Sequence, residues 1–362
     1  MGRAHAAIGN IAGPVQATQQ KAPRMTLAST IDDLTAGIES ELRRILSARQ
    51  MDLYRMMTYH LGWEDELGDE RGAVTRERSH GVACLTACAA TGGDVARALP
   101  AAAAVELLSN FCEIHDDVQG GQPQRENRDA VWWVWGPAQA INAGDGMHAL
   151  ARLAVFMLQE RGTTPEMTFR AVQMVDEASL ELCEGRFKDL EAQERIDLSV
   201  DAYLVMAEGK TGSLFSCAMK LGALVAGAGE VAIESVGVCG AKLGVALQVR
   251  RDLRELWGDG LSDAPPSPEV LNKKKLLPVV YAIGKATIKE KRRLGDIYFK
   301  RVLEPDDVVS VRTVLEEMGS REFCETLIGR LRSEALKALV VPGVSDEGAS
   351  ALSAFAGSLL DS

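Results

Sequence analysis

The chain has 362 residues, of which 46% are apolar, so it can bury a large core without disulfides or structural metals. Its 51 acidic and 40 basic residues give a net charge of −11, which excludes nucleic acid as the main partner because phosphate-backbone binding needs a basic face. A small phosphorylated substrate stays compatible with this charge, since a few local cations can bind it. No apolar run reaches the roughly 18 residues of a membrane span, and the seven scattered cysteines predict reduced thiols in a cytoplasmic protein.

The predicted elements begin after a distinct N-terminal segment. Residues 1–30 are rich in Ala, Gln, Gly and Pro and lack an apolar stretch, which predicts a flexible arm rather than a signal peptide. Over residues 31–362, apolar side chains recur at spacings of three and four, while no useful length alternates with the period of a strand. The sequence therefore predicts one all-α domain over 31–362, built as a bundle whose core can hold a ligand.

Long helices and two irregular loops follow one another along the bundle. The longest predicted helical stretches are Ala98–Ile114, Ala138–Leu158, Met167–Leu190 and Tyr203–Gly227. One predicted loop starts at Gly120-Gly121-Gln122-Pro123, and the other covers Gly258 to Pro268. Each loop follows an acidic segment at the end of a helix, and these two segments are the first candidates for chemistry.

The first acidic segment contains the pair Asp116-Asp117. Adjacent carboxylates repel each other, so a helix that directs both inward needs a compensating cation. Magnesium takes one or two carboxylates together with substrate phosphate oxygens, so the pair is typical of a metal–diphosphate site. The alternative is an acidic helix end that is simply solvated, which is the more common fate of such a dipeptide.

The second acidic segment lies in Gln248–Asp259. Asp252 and Glu255 are three residues apart and so share one face of a helix. Glu255 and Asp259 are four apart, but Gly258 makes helical geometry doubtful there. The alternative is a surface lattice of salt bridges with the neighbouring arginines, which are Arg250, Arg251 and Arg254.

Two further segments carry cations. Lys210-Thr211-Gly212 lies within a predicted helix, and Lys273-Lys274-Lys275 precedes Leu276-Leu277-Pro278. Lysines in a closed site neutralise a diphosphate leaving group, whereas most single lysines are solvated at the surface.

Together these segments resemble the trans-isoprenyl (polyprenyl) diphosphate synthase family, over about Tyr59 to Ile283. The strongest stretch contains, in order, Asn110-Phe111, His115-Asp116-Asp117-Val118-Gln119, Arg125, Val131-Trp132, Trp135-Gly136 and Ala140-Ile141-Asn142-Ala143-Gly144-Asp145. Then follow, in family order, Glu184-Gly185, Asp189-Leu190, Gly209-Lys210-Thr211-Gly212, the Gln248 segment and Lys274-Lys275-Leu276-Leu277-Pro278.

The resemblance implies an isoprenoid synthase-type bundle of long antiparallel helices around a deep apolar pocket. It implies that two aspartate-rich motifs face each other across the pocket and hold three Mg²⁺ ions on an allylic diphosphate, which ionises to a carbocation. The implied catalytic residues are Asp116, Asp117, Lys210 and Asp252. The implied metal ligands are Asp116, Asp117, Asp252 and Glu255. The implied substrate-binding residues are Arg78, Phe111, Arg125, Lys210, Thr211, Gln248, Arg251 and Lys274.

The sequence departs from the family pattern at both metal motifs. The first motif ends on Gly120 where the family has its last aspartate, and Arg251 stands where the second motif has its first aspartate. An arginine repels a metal ion but can itself contact a diphosphate with two parallel hydrogen bonds. Glu113, one turn before Asp116, is predicted either to face away from the pocket or to supply a replacement carboxylate.

The segment that binds isopentenyl diphosphate in the family is also altered. Its lysine corresponds to Glu77, its second arginine to His80 and its proline to Gly81, and the arginine pair after the first motif reads Arg125-Glu126. A carboxylate near a diphosphate opposes binding. These losses favour an enzyme that ionises an allylic diphosphate without condensing isopentenyl diphosphate, and instead cyclises the cation as a terpene synthase does or transfers it to an unusual acceptor.

Two alternatives stay open. One is an ordinary chain-elongating prenyltransferase that tolerates the altered motifs, and the other is a catalytically inactive subunit that pairs with an active synthase. The family implies a homodimer, or a heteromer in the inactive case, without stable membrane insertion. Phe111, five residues before Asp116, implies a limited pocket depth and a substrate of fifteen or twenty carbons, such as farnesyl or geranylgeranyl diphosphate.

Overall fold

The computed structural model describes residues 30–71, 76–195, 197–258, 270, 274–298, 300 and 304–361. Almost all of this part is helical, which confirms the prediction of an all-α protein. The predicted arm lies outside the described residues except for Thr30, and so do Asp259 and Lys273. The extent of the single domain over 31–362 stays a prediction.

Nine helices precede the second acidic segment in the described chain. They are α1 (Ile31–Ser47), α2 (Asp52–His60), α3 (Ser79–Ala90), α4 (Val95–Gly120), α5 (Val131–Trp135), α6 (Pro137–Phe156), α7 (Pro165–Glu194), α8 (Val200–Ala207) and α9 (Ser213–Ala226). A two-residue antiparallel hairpin, β1 (Gln124–Arg125) with β2 (Arg128–Asp129), lies in the first loop. A 3₁₀ turn at Met157–Arg161 follows α6, and a π-helical turn at Glu208–Gly212 joins α8 to α9.

The second acidic segment ends the next long helix, and shorter helices complete the described chain. These are α10 (Glu230–Trp257), α11 (Leu277–Lys285), α12 (Ile288–Tyr298), α13 (Pro305–Glu317), α14 (Ser320–Ala338) and α15 (Asp346–Asp361).

Local sequence explains where the long helices begin and end. Thr30 and Asp33 form a reciprocal capping box at the start of α1, and Thr164 caps α7, which opens with Pro165. Gly121 adopts a left-handed conformation, with φ of 60°, and so ends α4 just after the first acidic pair.

The core is centred on α3, α4 and α9. Helix α4 packs against α3, α6 and α9, and α9 packs against α10. Helix α4 is long and apolar enough to cross a membrane, but 72% of its most apolar window is buried inside the protein. It is the central helix of the bundle, and its buried length carries the first acidic pair to one end.

The π-helical turn is held between two glycines on neighbouring helices. A β-carbon on Gly185 of α7 would lie 2.4 Å from the backbone nitrogen of Lys210, and one on Gly244 of α10 would lie 2.8 Å from the carbonyl oxygen of Thr211. Both helices can approach the turn this closely because the glycines have no side chain. Lys210 and Thr211 are thereby fixed between α7 and α10.

The Gly185→Ala substitution is expected to lower the free energy of unfolding by about 1–3 kcal/mol, because the new methyl group overlaps the backbone of the π-helical turn. Chemical denaturation of the two proteins measures this difference. Gly329→Ala is the matched control: Gly329 is an exposed residue within α14 with open space around it, so alanine there is expected to be neutral or slightly stabilising. Equal stability of Gly185→Ala and the parent protein would contradict the close approach.

Candidate active site

A cavity of about 440 Å³ lies where the end of α4, the hairpin, α7, the π-helical turn and the end of α10 converge. Nine of the residues predicted for the site line this cavity: Asp116, Arg125, Lys210, Thr211, Gln248, Arg251, Asp252, Glu255 and Lys274. The structure thus brings together both acidic segments and both lysine segments, which are far apart in the chain.

Three predicted residues do not line the cavity. Asp117 is buried and faces Arg125, as described below. Arg78 is only 1% exposed and pairs with Glu39, with its Nη2 2.6 Å from the Glu39 Oε1. The predicted contact of Arg78 with substrate therefore has no support in its position, because burial and a carboxylate partner hold it in the core.

Phe111 is the third of these residues, and it packs toward α6. Its ring lies 4.7 Å from the ring of His115 and 5.3 Å from that of His148, between centroids. The cavity face of α4 instead carries Ser109, Cys112 and Asp116, in steps of three and four residues. Ser109 and Cys112 border the cavity on this face of α4 and Phe111 does not, and the role of Phe111 in limiting pocket depth stays a prediction.

Asp116 contacts a cation that the sequence did not single out. Its carboxylate is in direct contact with Nη2 of Arg186 on α7. Arg186 also lies 3.4 Å from the Oδ2 of Asp189, one turn further along the same helix. The i,i+3 spacing of Arg186 and Asp189 is visible in the sequence, but only the fold shows that Arg186 crosses to α4.

Asp117 is held by a two-point contact. Arg125 donates to both of its carboxylate oxygens, with Nε 3.0 Å from Oδ2 and Nη2 2.8 Å from Oδ1. Burial raises the pKa of Asp117, and the guanidinium of Arg125 opposes that rise. Arg125, which the sequence predicts to bind the diphosphate, thus uses its guanidinium to bind the buried carboxylate of Asp117. Its side chain still borders the cavity.

Asp252 accepts hydrogen bonds from three donors. The Tyr203 hydroxyl lies 2.5 Å from its Oδ2, the Leu277 backbone nitrogen 2.7 Å from the same oxygen, and the Gln248 Nε2 3.0 Å from its Oδ1. The Thr211 hydroxyl donates in turn to the Gln248 Oε1 at 3.0 Å. Burial raises the pKa of Asp252 to about 6, although these donors oppose the rise. A fraction of the protein molecules therefore carries a protonated Asp252 near neutral pH.

The cations of the cavity cluster around one buried carboxylate. Lys210 Nζ lies 2.7 Å from the Oδ2 of Asp189, and Asp189 is 7% exposed. Burial, together with the nearby charges of Lys274 and Arg186, lowers the pKa of Lys210 to about 8, although Asp189 opposes this shift. Asp189 thus lies near three cations, of which Arg186 also contacts Asp116.

Arg251 projects to the same cavity from α10. Within the described residues it makes no hydrogen bond or ion pair, and its side chain is exposed. Its place at the cavity agrees with the prediction that an arginine in the second motif can contact a diphosphate.

In the segment predicted to correspond to the isopentenyl diphosphate site, the arginines pair with carboxylates of the protein. The His80 ring packs against Phe215 at 4.2 Å between centroids and a tilt of 36°, and burial lowers the pKa of His80 to about 3, so it is neutral. Arg76 lies 2.9 Å from a carboxylate oxygen of Glu113 and 2.9 Å from one of Glu126. Glu113 does line the cavity, but Arg76 already neutralises it. Neither Arg76 nor this pairing was predicted.

The carboxylates present do not fit a cluster of three magnesium ions. Asp116, Asp117 and Asp252 each have protein donors on their oxygens. Glu255 lines the cavity, yet no group of three His, Cys, Asp or Glu side chains in the described part of the chain is arranged to hold a metal ion. The predicted magnesium ligands stay a prediction, and no chemical step is derived through them.

Comparison with known proteins defines the class of this molecule. The family profile described as polyprenyl synthetase matches residues 74–318. A geranylgeranyl diphosphate synthase of Mycobacterium tuberculosis is 38% identical over 245 residues, which are 67% of this chain and 69% of that protein. A farnesyl diphosphate synthase of the same species is 29% identical over 328 residues, 90% of each chain.

A polyprenyl synthetase from Streptomyces coelicolor A3(2) has a similar solved structure, with a TM-score of 0.81 and 30% identity over 91% of this chain and 100% of that one. The chain belongs to the polyprenyl synthetase family, which confirms the resemblance, and its fold is the all-α isoprenoid synthase fold. It is accordingly related to trans-prenyltransferases, and nothing in these comparisons favours the predicted terpene cyclase over the chain-elongating alternative.

Proposed function

We propose that this protein is a chain-elongating trans-prenyltransferase, which transfers an allylic prenyl group from its diphosphate to isopentenyl diphosphate. The observation that carries the proposal is the cavity in which Lys210, Arg251 and Lys274 converge from three separate elements. Relatives that synthesise farnesyl and geranylgeranyl diphosphate support this reaction over cyclisation.

In this reaction the bond between the allylic carbon and the diphosphate oxygen breaks, and its electron pair leaves with pyrophosphate. The double bond of isopentenyl diphosphate then forms the new carbon–carbon bond, and loss of a proton restores a double bond. Lys210 and Arg251, which both line the cavity, stabilise the charge that develops on the leaving group. The apolar side chains of Leu182, Leu214 and Cys112 border the same cavity and provide a surface for the prenyl chain.

A second candidate is the cyclase or unusual transferase that the sequence favours. It is supported by the neutral, buried His80 and by the neutralisation of Arg76 by Glu113 and Glu126, which together weaken a second diphosphate site. An inactive subunit of a heteromer is the remaining alternative.

Product analysis separates these candidates. The purified protein is incubated with farnesyl or geranylgeranyl diphosphate and Mg²⁺, with and without isopentenyl diphosphate, and the products are identified by mass spectrometry. Products longer by five carbons that need isopentenyl diphosphate are expected. Cyclic hydrocarbons formed without it would establish the second candidate instead, and no consumption of either substrate would overturn both.

A homodimer is part of this proposal, since α7 carries an exposed apolar stripe. Phe169, Leu180 and Phe187 are 66–73% exposed, and their spacings of eleven and seven residues put them on one face of the helix. Leu153 and Phe156 on the neighbouring α6 are also exposed. An apolar surface of this kind is typical of a protein–protein interface.

The Leu180→Glu substitution is therefore expected to convert a dimer into a monomer, because it introduces a charge into the apolar stripe. Light scattering on a size-exclusion column measures the mass. Val340→Glu is the control, since Val340 is 85% exposed and lies in the turn after α14, away from the stripe. A parent protein that is monomeric would contradict the proposed dimer.

A further inference from the structure

The pairing of the acidic residues has a consequence for how the cavity holds a diphosphate. Asp116, Asp117 and Asp252, which occupy the two motifs, each contact protein donors rather than standing open toward the cavity. A carboxylate binds a metal ion with the same lone pairs that it offers to a hydrogen-bond donor, so these donors compete with any metal for the oxygens.

The donor on Asp116 is a guanidinium that lies between two carboxylates, those of Asp116 and Asp189. Arg186 contacts Asp116 on α4 with one nitrogen and approaches Asp189 with another, and its side chain borders the cavity at 17% exposure. A guanidinium has five donors in a planar fork, so it can hold a carboxylate on one edge and still present a donor to a diphosphate oxygen.

The remaining cations surround the same space. Lys274 lies close enough to Lys210 for its charge to lower the pKa of Lys210, and Arg251 lines the same cavity from α10. Four basic side chains, from α7, the π-helical turn, α10 and the segment before α11, thus line one cavity. Their positive charge is bound covalently to the chain, whereas the charge of a metal cluster can dissociate.

We propose that Arg186, together with Lys210, Arg251 and Lys274, takes the place of divalent cations in this cavity, so that the protein binds an organic diphosphate without a metal ion. The inference rests on the proposed function in that the cavity is taken to receive a diphosphate. It goes beyond that function because it assigns the role of charge neutralisation to side chains of the chain itself.

Titration calorimetry with inorganic pyrophosphate and with a non-hydrolysable farnesyl thiodiphosphate tests this directly, at constant ionic strength. One series contains EDTA and the other contains Mg²⁺. The dissociation constant in EDTA is expected to lie within about threefold of that in Mg²⁺. Binding that appears only with Mg²⁺ would overturn the proposal. Because the titration needs no turnover, metal-free binding without any prenyl transfer would refute the proposed function alone.

The Arg186→Gln variant adds a second criterion. Removal of the guanidinium is expected to weaken pyrophosphate binding in EDTA about tenfold or more, which is the scale of one charge-assisted hydrogen bond. Mg²⁺ is expected to restore much of the lost affinity, because the Asp116 carboxylate can then bind the metal ion. Arg186→Lys retains the charge and is expected to keep part of the metal-free affinity. Arg170→Gln is the matched control, since Arg170 lies on the same helix, is exposed and pairs with Glu230.

Thermal unfolding establishes that each variant is folded before titration. If folded Arg186→Gln binds pyrophosphate in EDTA as tightly as the parent protein, Arg186 does not serve as the cation and the proposal fails. Loss of affinity in Arg170→Gln equal to that in Arg186→Gln would also refute it, because the effect would then reflect net charge rather than position.

Discussion

Replacement of Lys210 by methionine is expected to lower kcat/KM for consumption of the allylic diphosphate by about 100-fold or more. Lys210 is partly buried, with its side chain 11% exposed, and borders the cavity. It is fixed by Asp189 and by the close approach of Gly185, so it is positioned before substrate arrives. A positioned cation stabilises the departing pyrophosphate more than the bound substrate, and its loss therefore falls largely on kcat. Release of pyrophosphate under steady-state conditions measures the effect.

The control for this variant is Lys220→Met. Lys220 lies on α9, is partly exposed and pairs with Glu234 outside the cavity, so the same change of side chain is expected to leave kcat/KM within about twofold of the parent value. A folded Lys210→Met protein with parental activity would remove Lys210 from the reaction.

The pH dependence of diphosphate affinity gives an independent test of Lys210. Its pKa in the unliganded protein is lowered to about 8, so the cation loses its proton as pH rises through 8, and affinity for pyrophosphate is expected to fall there. The sign follows because only the protonated amine attracts the anion. Titrations between pH 7 and 9.5 are expected to show this fall in the parent protein and a weaker one in Lys210→Met. An equal slope in both would assign the titration to another group.

Much of the fold followed from the sequence, because helical periodicity over α4, α6 and α7 is a local property. The predicted stretches Ala98–Ile114 and Met167–Leu190 lie inside the observed α4 and α7. The order of motifs also identified half of the residues that line the cavity, since both acidic segments stand at the ends of long helices that meet at one end of the bundle.

The partners of those residues could not be predicted in the same way. That Arg186 crosses to Asp116 depends on the distance between α4 and α7, which no spacing within one helix encodes. The direction of Phe111 likewise depends on which face of α4 meets α6. A motif assigns a residue to a segment, whereas burial and the neighbouring helix decide whether its side chain reaches the cavity.

The motif and the structure differ most in the place they give to Arg78. Replacement of Arg78 by methionine is expected to lower the free energy of unfolding by about 3 kcal/mol. The sequence places Arg78 at a diphosphate, but the structure buries it against Glu39, with its Nη2 also 3.4 Å from the Leu61 carbonyl oxygen. Methionine fills much of the space that the arginine occupied. Glu39 then keeps the Trp63 indole nitrogen, at 2.8 Å, as its remaining hydrogen-bond donor. Urea denaturation measures the loss, and diphosphate affinity of the folded variant is expected to stay within about threefold.

Arg251→Met makes the matched comparison, because the same substitution is placed at an arginine that borders the cavity and has no partner within the described residues. Here the expected result is reversed: diphosphate affinity falls about tenfold, while unfolding free energy changes by less than about 0.5 kcal/mol. If Arg78→Met instead weakened diphosphate binding and left stability unchanged, the role implied by the motif would be right and the buried pair with Glu39 would be the wrong account. The two arginines thus separate a cation that holds the protein together from one that is available to its ligand.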